Sequence, residues 1–203
     1  MKKLFVLILV LLLTFGTTSG YCEKTANPDG SYTVGIPTDG LVFFSAPEGH
    51  GRQRSANWCW AACIQMVLNY HGIPVEQETI VNKVFGSLID QPANTEHIDF
   101  ALNGWGTDEN GRDVVVSAIS YQIDETIVIR DLAYRWPLIV GLKGDPIGHA
   151  YVLTALTYRN EGNPIITEVV LRDPFPKNKS RVTMPWQEFL NRCILITRVS
   201  VVR

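Results

Sequence analysis

Near Asp113 the chain changes its local preference, and this boundary constrains the fold more than any other feature. Before it, the apolar residues recur at helical spacing. The strongest helix runs from Trp58 to Tyr70, where Ala61, Ala62, Gln65, Met66 and Leu68 are good helix formers and Gly72 and Pro74 end the run. A second helix is expected over Val75–Phe85. A short third covers Asn94–Leu102, with Asn94 or Thr95 as cap and Glu96 in the first turn. After the boundary, β-branched residues dominate. Strands are expected over Asp113–Tyr121, Leu138–Leu142, His149–Leu156, Ile165–Leu171 and Cys193–Val202. Asn160–Pro164 is a turn that makes the third and fourth of these a hairpin. Glu125–Arg135 reads as a helix stopped by Trp136-Pro137, and Trp186–Asn191 as a helical turn. Helices first and strands second predict an α+β layout with a helical half and an antiparallel β half.

The N-terminus stands outside that plan. Met1, Lys2 and Lys3 precede ten apolar residues, Leu4–Leu13, and Thr18-Ser19-Gly20 is a plausible cleavage site. This order predicts a secretory signal over residues 1–20 and an exported protein. Ten apolar residues are too few to span a bilayer core, which needs about 20. Cys22 raises the lesser alternative of a lipid anchor. Loss of residues 1–20 removes two lysines and no acid, leaving 16 basic and 20 acidic residues and a formal charge of −4. That balance offers no electrostatic footprint for nucleic acid. No later run approaches membrane length, so no stable membrane insertion is expected after cleavage, and a monomer is the default. Residues 21–51, rich in Pro, Gly, Asn and Asp, read as an extended lead-in holding one strand. Residues 52–203 suffice for one domain with its own core.

The residues with chemistry to offer are few. Cys59 opens the first helix, where unpaired N–H groups and the helix dipole favour a thiolate. Gln53, six residues upstream, has an amide that can donate to an oxyanion. Cys63, one turn inside the helix, fits a core or disulfide role. A nucleophilic thiol needs a histidine. His71 at a helix end suits a dipole partner; His50 lies in a Gly-flanked loop and His97 in a first turn. His149 follows Gly148 and opens an apolar strand, which would hold its ring more rigidly. The hairpin returns Asp173, before Pro174, to the start of that strand, where a carboxylate can orient the imidazole. Asp173-Pro174 could equally begin a turn, and Asp145 is a rival orienter. No His or Cys pair has metal-ligand spacing, so no metal is expected.

Gln53, Trp58-Cys59-Trp60-Ala61-Ala62, Gly148-His149-Ala150 and Asp173-Pro174 together resemble papain-like cysteine peptidases. The pattern is most similar to the compact bacterial branch that includes a secreted plant-pathogen effector protease, and more distantly to bacteriocin-processing peptidase domains. The resemblance spans Gln53 to Trp186. It implies a two-lobed fold with the site in the cleft and hydrolysis of a peptide or protein substrate through a thioester, with no metal or organic cofactor. It assigns Cys59 as nucleophile, His149 as base and acid, Asp173 as orienter and Gln53 as oxyanion donor. Cys59 and His149 are 90 residues apart, against the roughly 130–150 of plant and lysosomal members, so pocket-forming loops of those enzymes are expected to be missing. The orienter is Asp where papain has Asn. Two other functions use the same residue set: a cell-wall peptide amidase or transglutaminase-like transferase, and an inactive peptide-binding module. If one disulfide forms, Cys63–Cys193 is the expected pair.

Overall fold

The computed structural model describes residues 24–45, 51–144 and 147–203. The expected signal, Cys22, His50 and Asp145 lie outside the described residues. The lead-in contributes more than one strand. It forms β1 (Lys24–Ala26), β2 (Tyr32–Gly35), one 3-10 turn over Thr38–Leu41 and the short α1 (Val42–Ser45). Three helices follow: α2 (Cys59–Tyr70), α3 (Gln77–Phe85) and α4 (Thr95–Leu102). Then come β3 (Val115–Ser120), α5 (Glu125–Ala133), β4 (Leu138–Leu142), β5 (His149–Glu161), β6 (Asn163–Arg172), β7 (Arg181–Pro185), α6 (Trp186–Arg192) and β8 (Cys193–Val202). The switch near Asp113 is therefore real, and each expected helix and strand has a counterpart; β7 had no expectation.

Local chemistry explains the boundaries. The Asn94 side chain accepts from His97 N at 2.9 Å and caps α4, and Asp124 accepts from Ile127 N at 3.0 Å and caps α5. Helix α2 ends at Gly72, whose φ of +75° is a left-handed conformation that closes a helix at low cost in glycine. The β5–β6 hairpin is tighter than expected. Glu161 and Asn163 face each other and Gly162 alone turns the chain.

All strand pairs within the eight-stranded sheet are antiparallel. Its main path is β1-β2-β5-β4-β8-β3, with β6 on the other side of β5 and β7 beyond β6. Strand β5 carries two partners in succession along one edge. His149–Leu153 pair with β4, and Ala155–Tyr158 pair with β2. Gly35 sits at the changeover with φ +134°, and a Cβ there would lie 2.2 Å from Thr154 O.

Alternation along the strands divides the core. Ile139, Ala150 and Val152 face the cluster built by α2, α3 and α4. Leu138, Val140 and Leu153 face a second cluster with Val128 and Leu132 of α5 and Phe189 of α6. Helix α2 is buried along its whole length from Trp60 to Leu68 and packs against β5. That packing sets the first residue of α2 beside the first residue of β5.

Candidate active site

Trp58 is the N-cap of α2 and supplies no side-chain cap, so the first-turn N–H groups point toward the cleft without a side-chain acceptor from Trp58. The two tryptophans anchor this end. Trp58 Nε1 donates to Ile89 O at 2.8 Å, and Trp60 Nε1 donates to Gln91 O at 3.1 Å. Cys59 lies between them, half-buried and free.

Opposite it, His149 opens β5. Its Nε2 lies 2.7 Å from Asp173 Oδ1, and its ring lines the same cavity as the Cys59 thiol. Burial disfavours the charged ring. The bond to Asp173 and the nearby Cys59 more than offset this and raise His149 to about 9. The ring is boxed by Tyr151 at 4.7 Å and Phe175 at 6.4 Å between centroids, both edge-on.

Asp173 is held as firmly. Burial pushes its carboxyl up. His149, the Asn178 side chain and Phe175 N oppose that and hold it below the usual value. Oδ1 accepts from Phe175 N at 2.8 Å, and Oδ2 accepts from Asn178 Nδ2 at 2.8 Å. The loop after it is gripped by Arg52, which is 7% exposed. Arg52 Nη1 donates to Asp173 O at 2.7 Å, and Nη2 donates to Phe175 O at 2.7 Å and also to Pro176 O and Asn178 O. Behind Arg52, Gln77 Nε2 donates to Arg52 O at 2.8 Å and to Gln65 Oε1 at 2.9 Å.

Gln53 lines the same cleft as Cys59, His149 and Phe175, around a cavity of about 210 Å³. Its Nε2 donates to Ser55 O and Ala56 O, each at 2.9 Å, and its buried Oε1 has no partner among the described residues. An adjoining hollow of about 300 Å³ runs from Cys59 and Trp60 along Ile98, Leu142 and Ile194. A larger one, about 410 Å³ between Phe43 and Glu109, holds no nucleophile or histidine.

A thiol at a helix start, an imidazole and a buried carboxylate are thus lined up across two halves of one fold. A family model described as papain-like cysteine protease AvrRpt2 matches residues 46–192. The chain belongs to this family of papain-like cysteine peptidases. Among curated proteins, none matches. Two solved structures share the peptidase fold. The peptidase domain of Streptococcus ComA, a bi-functional ABC transporter involved in quorum sensing, is 19% identical with a TM-score of 0.55, covering 73% of this chain and 95% of that one. A double glycine motif protease from an AMS/PCAT transporter, solved with the leader peptide, is 17% identical with a TM-score of 0.51, covering 90% and 94%.

The remaining candidates of the peptidase sequence fall elsewhere. His71 is not a cationic dipole partner: burial, with Arg203 nearby, lowers it to about 4 and leaves it neutral at pH 7. His97 belongs to the α4 cap. The Cys63–Cys193 disulfide is absent, and both thiols are free. Cys63 sits in the core on the α2 side of the sheet and Cys193 packs on the opposite cluster, so the sheet separates them. Among the described residues no cluster of His, Cys, Asp and Glu could hold a metal, and no helix is long and apolar enough to cross a membrane. Sequence reasoning missed Arg52 and Asn178, because their partners are backbone and carboxylate groups about 120 and five residues away along the chain.

Proposed function

We propose that this peptidase is exported and cleaves peptide bonds through a Cys59 acyl-enzyme, with His149 and Asp173 completing a triad and Gln53 serving the oxyanion. The observation that carries the reading is the position of His149, which shares one cavity with Cys59 and lies 2.7 Å from Asp173. With Nε2 committed to Asp173, Nδ1 is the nitrogen left for the thiol. The raised value of about 9 keeps the ring protonated near neutral pH, which suits a thiolate–imidazolium pair.

The thiolate sulfur attacks the scissile carbonyl carbon, and the carbonyl π electrons move onto oxygen. The Cys59 N–H and Gln53 amide stabilise that oxyanion. Gln53 exchanges one of its bonds to Ser55 O or Ala56 O to do so. Collapse breaks the C–N bond, and His149 delivers its proton to the leaving amine. Water then attacks the thioester carbonyl as His149 takes its proton, collapse breaks the C–S bond, and the carboxylic acid leaves with the thiolate–imidazolium pair restored. Asp173 keeps the ring oriented and supports its charge.

A peptide substrate suits a cleft that runs on from Cys59 into the apolar hollow, and the neighbouring double glycine motif protease was solved with a leader peptide. Export rests on Met1-Lys2-Lys3, the Leu4–Leu13 run and Thr18-Ser19-Gly20.

Alkylation tests the pair. A thiol-directed peptide electrophile is expected to label Cys59 alone, faster than free cysteine at pH 6–7, and His149→Ala is expected to slow it about 100-fold, within the range of a lost acid–base partner. Equal labelling of Cys63, or a rate indifferent to His149, overturns the assignment.

A further inference from the structure

A polar cavity of about 260 Å³ lies away from the catalytic cleft, lined from β2, β5, β6 and β7. At one end Arg172 of β6 and Arg181 of β7 stand directly opposite each other in register. Like charges so placed repel. No carboxylate among the described residues forms an ion pair with either one. Arg172 is 5% exposed. Its Nη2 donates to Thr38 O at 3.1 Å, while its Nε is buried with no partner among the described residues. Burial, with Arg181 beside it, lowers its affinity for a proton below that of an ordinary arginine. A third arginine, Arg135, reaches the same cavity from a backbone at φ +60°. Thr33 Oγ1 and Thr157 Oγ1, 3.3 Å apart, line the far part of the cavity, where Thr157 stands opposite Glu168.

Two forks of N–H donors, one of them desolvated and incompletely bonded, are built for an oxyanion. Two guanidinium cations side by side favour a dianion over a singly charged carboxylate. Glu168 limits the size. It lines the far part of the cavity four residues along β6 and would repel a polyanion extending that way.

We propose that Arg172 and Arg181 bind a single phosphate group, as inorganic phosphate or as a phosphomonoester. The bound dianion would relieve the cross-strand repulsion and fill the valence of the buried Nε. The proposal stands on the β5–β7 face and does not depend on the chemistry at Cys59.

Isothermal titration of the purified protein in chloride buffer of fixed ionic strength, with inorganic phosphate and with O-phosphoserine as separate probes, tests it. The expected result is saturable one-to-one binding that Arg181→Gln, at an exposed position, weakens about tenfold, the loss of one charge-assisted contact. Arg172→Gln is expected to weaken it further. Tighter binding of O-phosphoserine assigns the site to a phosphorylated ligand, and tighter binding of phosphate assigns it to the free ion. Absence of saturable binding of both probes, or binding that Arg181→Gln leaves unchanged, overturns the proposal.

Discussion

His149 shows how one residue can couple catalysis to stability. Its folded value of about 9 lies above the 6.5 of an unperturbed imidazole, so the native state holds a proton that the unfolded chain releases first. The stabilisation is therefore complete below pH 6.5 and is lost as pH rises through about 9. Asp173 has the opposite sign: its lowered value gives stability above the ordinary carboxyl range, lost on acidification. Melting curves from pH 6 to pH 10 should show a fall in Tm for the wild type that His149→Ala lacks; parallel curves would trace the alkaline loss to other groups. At this scale the sequence was informative where chemistry is local. Cys59 and Gln53 sit in one short motif, and Asp173 is returned to His149 by one hairpin. Arg52 was silent. A buried arginine that serves four carbonyls has no sequence signal beyond its neighbour Gln53, because its partners appear only when the chain closes.

At the scale of elements, the site is a joint between the start of α2, the start of β5 and the loop after β6. The loop has no regular structure of its own, so Arg52 substitutes for a ladder by collecting its carbonyls. Arg52→Ala would leave several of those acceptors buried and unpaired. It should cost about 3 kcal/mol, or roughly 10 °C in Tm for a domain of this size. Below that Tm it should still lower kcat/KM, because Asp173 loses its frame, whereas Asn178→Ala removes one bond and should have the smaller effect. Thermal melts with peptidase assays on both variants check the ranking. The same elements show what periodicity can and cannot reveal. Helix α2 and strands β4, β5 and β8 have dense apolar patterns and were legible. Strand β7 was not: only Met184 of Arg181–Pro185 is buried, so it reads as a polar turn until β6 pairs with it. Leu41–Phe44 is a similar case, since a four-residue apolar run fits helix or strand alike, and the fold makes it the end of a 3-10 turn and the start of α1.

Across the whole molecule, the sheet is what keeps the two halves of the cleft in register. Its buried strand β5 touches α2 on one face and carries His149 at its first residue, so any change along β5 is transmitted to the site. The lead-in joins this same strand. β2 covers the edge of β5 beyond the reach of β4, and Val34, Ile36 and Leu41 are buried at 2%, 6% and 0% exposure. A Pro- and Gly-rich composition reads as an extended lead-in with one strand; the pairing makes residues 24–45 a working part of the sheet. A chain beginning at residue 46 would lack those three side chains and the burial each contributes, about 1.5–3 kcal/mol, and would open an unpaired edge on β5. It should melt about 10–20 °C lower than a chain beginning at residue 21, since 1 kcal/mol moves Tm by about 2–4 °C at this size. Proteolysis should also cut it faster. Calorimetry of the two chains decides the matter: equal Tm values would mean that the lead-in is an appendage that can be trimmed without loss. A drop of the stated size would mean that the lead-in is needed to hold the fold together.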